Sequence, residues 1–304
     1  MPELPEVEVV RRGIEPYTAG WRVERVEVFD PRSLKRHPGS VADFIGALEG
    51  RDLLAAVRRG KFLWLPLADR DPRQSEALVC HLGMSGQILL GDHPEQFGPL
   101  LRVALELSGP DGESITWGFV DQRLFGSLAI DTVVETIPGV PAGRGSDDPG
   151  IPSQVAHIAR DVLDPAADLS AIARSMRKKS SGIKRVLLDQ TVTSGVGNIY
   201  ADEALFSTRL HYDYPANRLS QSRALDLLSA VGGVFDRALE QGGTSFDWQY
   251  VNVNGQGGYF SQSLNAYGQD GQACSRCGRI IVREAFMNRS SFRCPRCQPR
   301  PRVR

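Results

Sequence analysis

Four of the five cysteines fall in the stretch CSRCGRIIVREAFMNRSSFRCPRC, where Cys274, Cys277, Cys294 and Cys297 form two C-x2-C pairs sixteen residues apart. Tetrahedral zinc wants four thiolates, and two such turns supply two each. Four sulfurs leave no open position on the metal, so the expected role of the single zinc ion is structural. Two disulfides would fit poorly with a reducing compartment. Between the pairs lie two strand-like runs, so the metal is expected to clamp a β-hairpin. The fifth cysteine, Cys80, sits in the apolar run ALVCHL and reads as a small core residue.

The second reactive candidate is the opening MPELPEVE. Methionine before proline is normally removed, which leaves Pro2 with a free secondary amine. An α-amino group has a pKa of about 7.7–8.0 against about 10.4 for lysine, so roughly 10% is neutral at pH 7 instead of about 0.04%. A secondary amine that attacks a sugar C1′ gives a cationic iminium, an electron sink that favours later elimination. Glu3 beside it can serve as a general acid if desolvation holds its proton. On these residues alone, the plainer reading stays open: Pro2 directs methionine removal and Glu3 begins a helix.

Positioning such groups takes a scaffold. From residue 2 to about 130, WRVERVEVF, KFLWLPL, ALVCHLGMSGQILL, LLRVALEL and SITWGFV are short β-branched, aromatic and leucine-rich runs broken by glycine, proline and aspartate. Val7, Val10 and Ile14 fall at helical spacing after Pro5, a residue suited to a first turn. TIPGVPAGRGSDDPGIP is too rich in glycine and proline for a regular element to persist. Beyond it SQVAHIARDVL, LSAIARSM, GIKRVLLDQ, NIYADEALF and SQSRALDLLSAVGGVFDRALEQGG carry apolar residues three and four apart. The fold expected is α+β and multidomain. An antiparallel β-sandwich with an N-terminal helix over 1–135 leads through a linker over 136–152 to a helical domain over 153–242. A loop region over 243–272, too long for a mere connection, and the zinc hairpin over 273–304 complete it.

Bulk charge is silent about partners, with 36 lysines and arginines against 36 acids in 304 residues. Its distribution is not. RSMRKKSSGIKR holds six basic residues and no acid, and residues 273–304 hold nine arginines against the single Glu284. Two unopposed basic blocks favour an anionic polymer as partner. No run approaches the ~20 apolar residues of a membrane span, and the start lacks an export signal, so a cytoplasmic monomer without membrane contact is expected.

In order and spacing, MPELPEVE, RRGKFLW, HLGMSG, DQRLFG, GVGNIYADEALF and the terminal cysteine hairpin with NRSSF resemble the bacterial formamidopyrimidine-DNA glycosylases, nearly end to end. The resemblance implies a bifunctional repair enzyme. Such an enzyme excises 8-oxoguanine paired with cytosine and ring-opened formamidopyrimidines from duplex DNA, then cuts the abasic strand by β,δ-elimination. It implies that Pro2 is the nucleophile, Glu3 its acid/base partner, and Lys61 an aid to elimination and phosphate binding. Arg289 would grip phosphates beside the lesion at the hairpin tip and assist δ-elimination.

A base inside the stack is out of reach, so the nucleotide must swing out and something must fill the hole. By resemblance Met84 and Phe125 are the apolar wedges and Arg123 bonds the orphaned cytosine. IKRVLLDQTVTSGVGNIYADEALF resembles a helix-two-turn-helix module, with Lys179, Lys184 and Asn198 at phosphates and the 243–272 region capping the lesion. Departures exist. Leu100, Leu101 and Arg102 stand where a strand histidine is frequent, leaving Arg102 as the nearby DNA-binding candidate. Gln122 replaces a common proline and Leu124 a second basic residue. Two alternatives remain: an endonuclease VIII-like enzyme for oxidised pyrimidines, whose members usually begin PEGPE, and a catalytically inactive DNA-binding paralogue.

Overall fold

The computed structural model describes residues 2–71, 73–244 and 252–301. Two compact units emerge, one from Met1–His157 with Gly242–Gly258, the other from Ile158–Gln241 with Tyr259–Arg304.

The first unit opens with helix α1 (Leu4–Ile14), for which Pro5 fits the first turn as expected. The Glu6 carboxylate accepts the Glu3 N–H at 2.8 Å, the return half of a capping box that anchors the helix start. Strand β1 (Trp21–Val28) follows, then helix α2 (Val41–Leu48), capped by Ser40. Strands β2 (Asp52–Leu53), β3 (Val57–Arg59), β4 (Phe62–Pro66), β5 (Glu76–His81) and β6 (Gly86–Gly91) come next. The unit's remaining strands are β7 (Leu101–Ser108), β8 (Ser114–Asp121), β9 (Ser127–Glu135) and β10 (Gly150–Pro152).

These strands form two five-stranded sheets, ordered β2-β1-β7-β8-β6 and β10-β9-β5-β4-β3, antiparallel at every pairing. Val103, Leu105 and Leu107 of one sheet share a buried cluster with Leu63, Leu65, Leu78 and Cys80 of the other, so alternate residues make the inner faces of a sandwich. Val7, Val10 and Ile14 of α1 enter the same core. Val253 joins it too, its carbonyl accepting the Leu90 N–H at 3.0 Å. Cys80 is fully buried there, as its sequence context indicated.

Two local expectations are corrected. The glycine- and proline-rich stretch before residue 153 does carry a regular element: β10 pairs with β9, and Arg58 bridges to Arg144. Edge pairing supplies what local propensity denied. Conversely, SQVAHIARDVL is not a helix but a series of turns. The Asp161 and Asp164 side chains there accept the N–H groups of Leu163 and Ala166, and such local bonds outcompete the helical ladder. Val155 and Ile158 still bury their apolar groups.

The second unit contains α3 (Leu169–Arg177), α4 (Ile183–Leu187), α5 (Asn198–Ser207) and α6 (Gln221–Glu240), then the hairpin of β11 (Val282–Phe286) and β12 (Arg289–Arg293). Helix α5 is enclosed on all sides: every residue from Asn198 to Phe206 is buried, the carboxylates of Asp202 and Glu203 included. Among the described residues no helix is long and apolar enough to cross a membrane.

Candidate active site and nucleic-acid interface

Pro2 and Glu3 sit at the head of α1, both buried, with Glu3 only 1% exposed. The Glu6 carboxylate that holds the Glu3 N–H also accepts the Thr244 N–H at 2.8 Å, tying the helix start to the segment that follows Gly242. Glu6 escaped the sequence reading, although its place three residues after Glu3 is the capping-box spacing.

Lys61 occupies the two-residue turn between β3 and β4, closed by the Arg59–Phe62 pair and started by Gly60 at φ +57°. Arg58 fixes this turn, its guanidinium donating to the Gly60 carbonyl at 3.1 Å and to Glu8 at 2.8 Å. Glu8, fully buried in α1, also pairs with Arg11, Arg12 and Arg144. Burial pushes its carboxyl up, but Arg58, Arg11 and Arg144 outweigh that and hold it below the usual range. A buried network therefore joins the helix that begins at Leu4 to the turn that carries Lys61.

His81 ends β5 against the Phe62 ring, 4.7 Å between centroids, and its Nδ1 accepts the Gly83 N–H at 3.1 Å. Burial, then the charges of Arg36, Lys61 and Lys35, push its pKa down to about 4. Lys35 and Arg36, absent from the sequence-derived site, thus gather with Lys61 as a cationic group. The unopposed run KRH at 35–37 was the available signal.

Met84 lies on the β5–β6 turn and is 40% exposed; Phe125 lies on the β8–β9 turn and is 50% exposed. Arg123 stands beside Phe125, its guanidinium 5.4 Å from the ring centroid. The two turns touch: Gly83, at φ +63°, is so close to the Phe125 backbone that a Cβ would collide with it. Tertiary structure puts both of these large apolar side chains on loop tips. Arg102 donates to the Asp121 carbonyl at 2.8 Å and lies 3.8 Å from Asp30, so its guanidinium is engaged within the sandwich.

In the second unit, Lys179 is exposed and pairs with Asp189 at 3.4 Å. Lys184, expected at a phosphate, is a correction: it is fully buried, 2.7 Å from Asp202 and 3.1 Å from Ser291 Oγ. Asp202 also accepts from Ser291 and from the Phe292 N–H. Burial pushes the Asp202 carboxyl up, opposed by Lys184 and these donors. The lysine serves to pin α4, α5 and β12 together. Asn198 opens α5 behind Gly197, which offers no side-chain cap, and its Nδ2 donates to the Ser290 carbonyl at 3.0 Å.

The four cysteine sulfurs lie within 4.8 Å of one another. Three separations are 4.0, 3.5 and 3.6 Å. A sulfur tetrahedron around zinc at about 2.3 Å has edges of about 3.8 Å, so the set fits that ion. Between the cysteine pairs runs the expected β-hairpin, with Arg289 exposed at its two-residue turn. The 243–272 region proposed to cap a lesion falls partly on residues 245–251, outside the described residues.

Three family models match the chain: the formamidopyrimidine-DNA glycosylase N-terminal domain over 1–128, the glycosylase H2TH domain over 158–249, and the zinc finger found in FPG and IleRS over 271–300. The chain is 56% identical to a formamidopyrimidine-DNA glycosylase of Leifsonia xyli, covering 98% of this chain and 99% of that one. A Lactococcus lactis FPG variant in complex with Fapy-dG containing DNA superposes with a TM-score of 0.80 at 26% identity, covering 98% of this chain and all of that one. MutM in complex with carbocyclic 8-oxo-G containing DNA gives 0.79 at 26%, with the same coverage.

Proposed function

The chain belongs to the formamidopyrimidine-DNA glycosylase family, and on that premise we propose that it is a bifunctional DNA glycosylase and abasic-site lyase in which Pro2 is the nucleophile. Its substrates are the oxidised purines 8-oxoguanine and formamidopyrimidine in duplex DNA, the lesions named for the related complexes. The observation that carries the assignment is the N-terminal geometry: Pro2 and a buried Glu3 head a helix rooted in the sandwich core. Removal of the preceding methionine turns the Pro2 nitrogen from an amide into an amine and takes away the group attached to it. The positive end of α1 is a poor neighbour for an ammonium, which favours the neutral, nucleophilic form.

Pro2 displaces the damaged base at C1′, and Glu3, desolvated as an acid must be, manages the protons of ring opening. The iminium then permits loss of the 3′ and afterwards the 5′ phosphate, leaving a one-nucleotide gap with phosphates at both ends. Lys61, with Lys35 and Arg36 nearby, supplies positive charge for the backbone. Met84 and Phe125 fill the vacated stack and Arg123 bonds the orphaned cytosine. Lys179, Arg289 and the α5 N-terminus hold phosphates. Zinc held by Cys274, Cys277, Cys294 and Cys297 would shape the hairpin that presents Arg289. The enzyme works as a monomer on the nucleoid DNA of a bacterial cytoplasm.

Borohydride should trap the enzyme covalently on an 8-oxoguanine duplex. An unblocked Pro2→Gly variant, which keeps a terminal amine, should trap more slowly, and a chain with one extra residue before Pro2 should neither excise nor trap. Normal excision and trapping by the extended chain would overturn the assignment. The same duplex beside one with an oxidised pyrimidine separates this activity from that of an endonuclease VIII-like enzyme.

A further inference from the structure

The two turns that carry Met84 and the Arg123–Phe125 pair are joined by one carboxylate. Asp121, at the end of β8, is fully buried. Its Oδ1 accepts the Ser85 hydroxyl at 2.6 Å and the Arg123 N–H at 3.2 Å, and its Oδ2 accepts the Gly126 N–H at 2.7 Å. Ser85 Oγ in turn accepts the Arg123 N–H at 3.1 Å. Ser85 is the residue after Met84, while Arg123 and Gly126 bracket the segment that contains Phe125. The same strand end is held from outside by Arg102, which donates to the Asp121 carbonyl.

We infer that Asp121 is a positioning residue that locks the Met84 turn and the Arg123–Phe125 turn into one preformed unit, so that both enter the duplex together. This rests on the wedge roles assigned above to Met84, Arg123 and Phe125. Two independent loops would each lose conformational freedom on entering DNA; a shared buried acceptor removes that cost before binding. Only a carboxylate suits the place. Three donors converge on its two oxygens, and an amide would set an NH2 group against one of them. Gly83 adds the packing complement, since its lack of a side chain is what lets the turns touch.

Single-turnover excision of 8-oxoguanine tests this in a double-mutant cycle of Met84→Ala and Phe125→Ala, run in the native, D121N and S85A backgrounds, with cooperative melting as the folding control. In the native background the double variant should lose less than the product of the two single losses, by at least about threefold. In the D121N and S85A backgrounds the losses should multiply to within about twofold. S85A removes only the link between the turns, so it decides the matter if D121N does not melt cooperatively. Coupling that persists undiminished in the altered backgrounds, or none in the native one, overturns the inference. If neither single variant slows excision, the wedge reading itself fails and this inference falls with it, an outcome visible from the single variants alone.

Discussion

The β-sandwich and the cysteine hairpin hold their working residues by different physics. In the sandwich, one apolar cluster runs from Val7 through both sheets to Val253, and Lys61, Met84 and Phe125 stand on turns between strands of that core. Around the hairpin, among the described residues, the buried cluster is only Phe206, Ala266, Cys274, Ile281, Phe292 and Cys294. Apolar burial scales with area, so so small a cluster cannot fix a fold alone. Directional bonds take over. Lys184, Asp202 and Ser291 interlock, Glu203 accepts the N–H groups of Asn265, Ala266 and Tyr267, and Arg276 donates to the final carbonyls of α5. Nondirectional burial tolerates many substitutions; a hairpin built on a metal and a few polar pins should fail at single atoms.

The contrast is broken most forcefully by removing the metal. Zinc should contribute on the order of 10 kcal/mol to folding the hairpin. Chelation should therefore open residues 273–300 to limited proteolysis while the fluorescence of Trp21, Trp64 and Trp117, all buried in the sandwich unit, stays native. Loss of both signals together would show that the two regions are not independently held.

Next in size is Asp202→Ala. It strips the buried Lys184 of its carboxylate and should cost about 3–5 kcal/mol in urea unfolding. Replacing both partners by apolar residues should cost less than Asp202→Ala alone, because no buried charge is then left behind. Equal costs would mean that the pair contributes by packing, as a sandwich residue does.

The smallest effect sharpens the sandwich side. His81 has a folded pKa of about 4 against an ordinary 6.5, so between those values the unfolded chain binds more protons. Stability is then complete above pH 6.5 and declines as pH falls towards 4, by up to about 3 kcal/mol. Urea midpoints at pH 7 and 4.5 should differ accordingly, and His81→Gln should flatten that difference. An unchanged slope in the variant would assign the acid sensitivity elsewhere.

Much of this was legible from local pattern. Strand alternation, the apolar spacing of α1 and the paired cysteines each report on neighbours a few residues away, and the sandwich, the first helix and the hairpin formed as expected. Apolar spacing misled where hydrogen bonds, near or distant, decided. SQVAHIARDVL has helical spacing but aspartate turns, and the Gly150–Pro152 strand exists because β9 offers an edge. Lys179 and Lys184 belong to the same basic run, yet one faces solvent and the other is sealed against a carboxylate.

By itself, the sequence determined the chemistry available: a proline and a glutamate at the start, four thiolates at zinc spacing, and six motifs in family order. Covalent adjacency and short periodicities fix these, and both are written along the chain. Tertiary structure alone decided which charges are spent inside. Arg58 meets Glu8 across 50 residues, Ser85 meets Asp121 across 36, and Lys184 meets Ser291 across 107. Whether a cation is free for a phosphate depends on such partners, and their proximity is set by packing rather than by any spacing in the sequence.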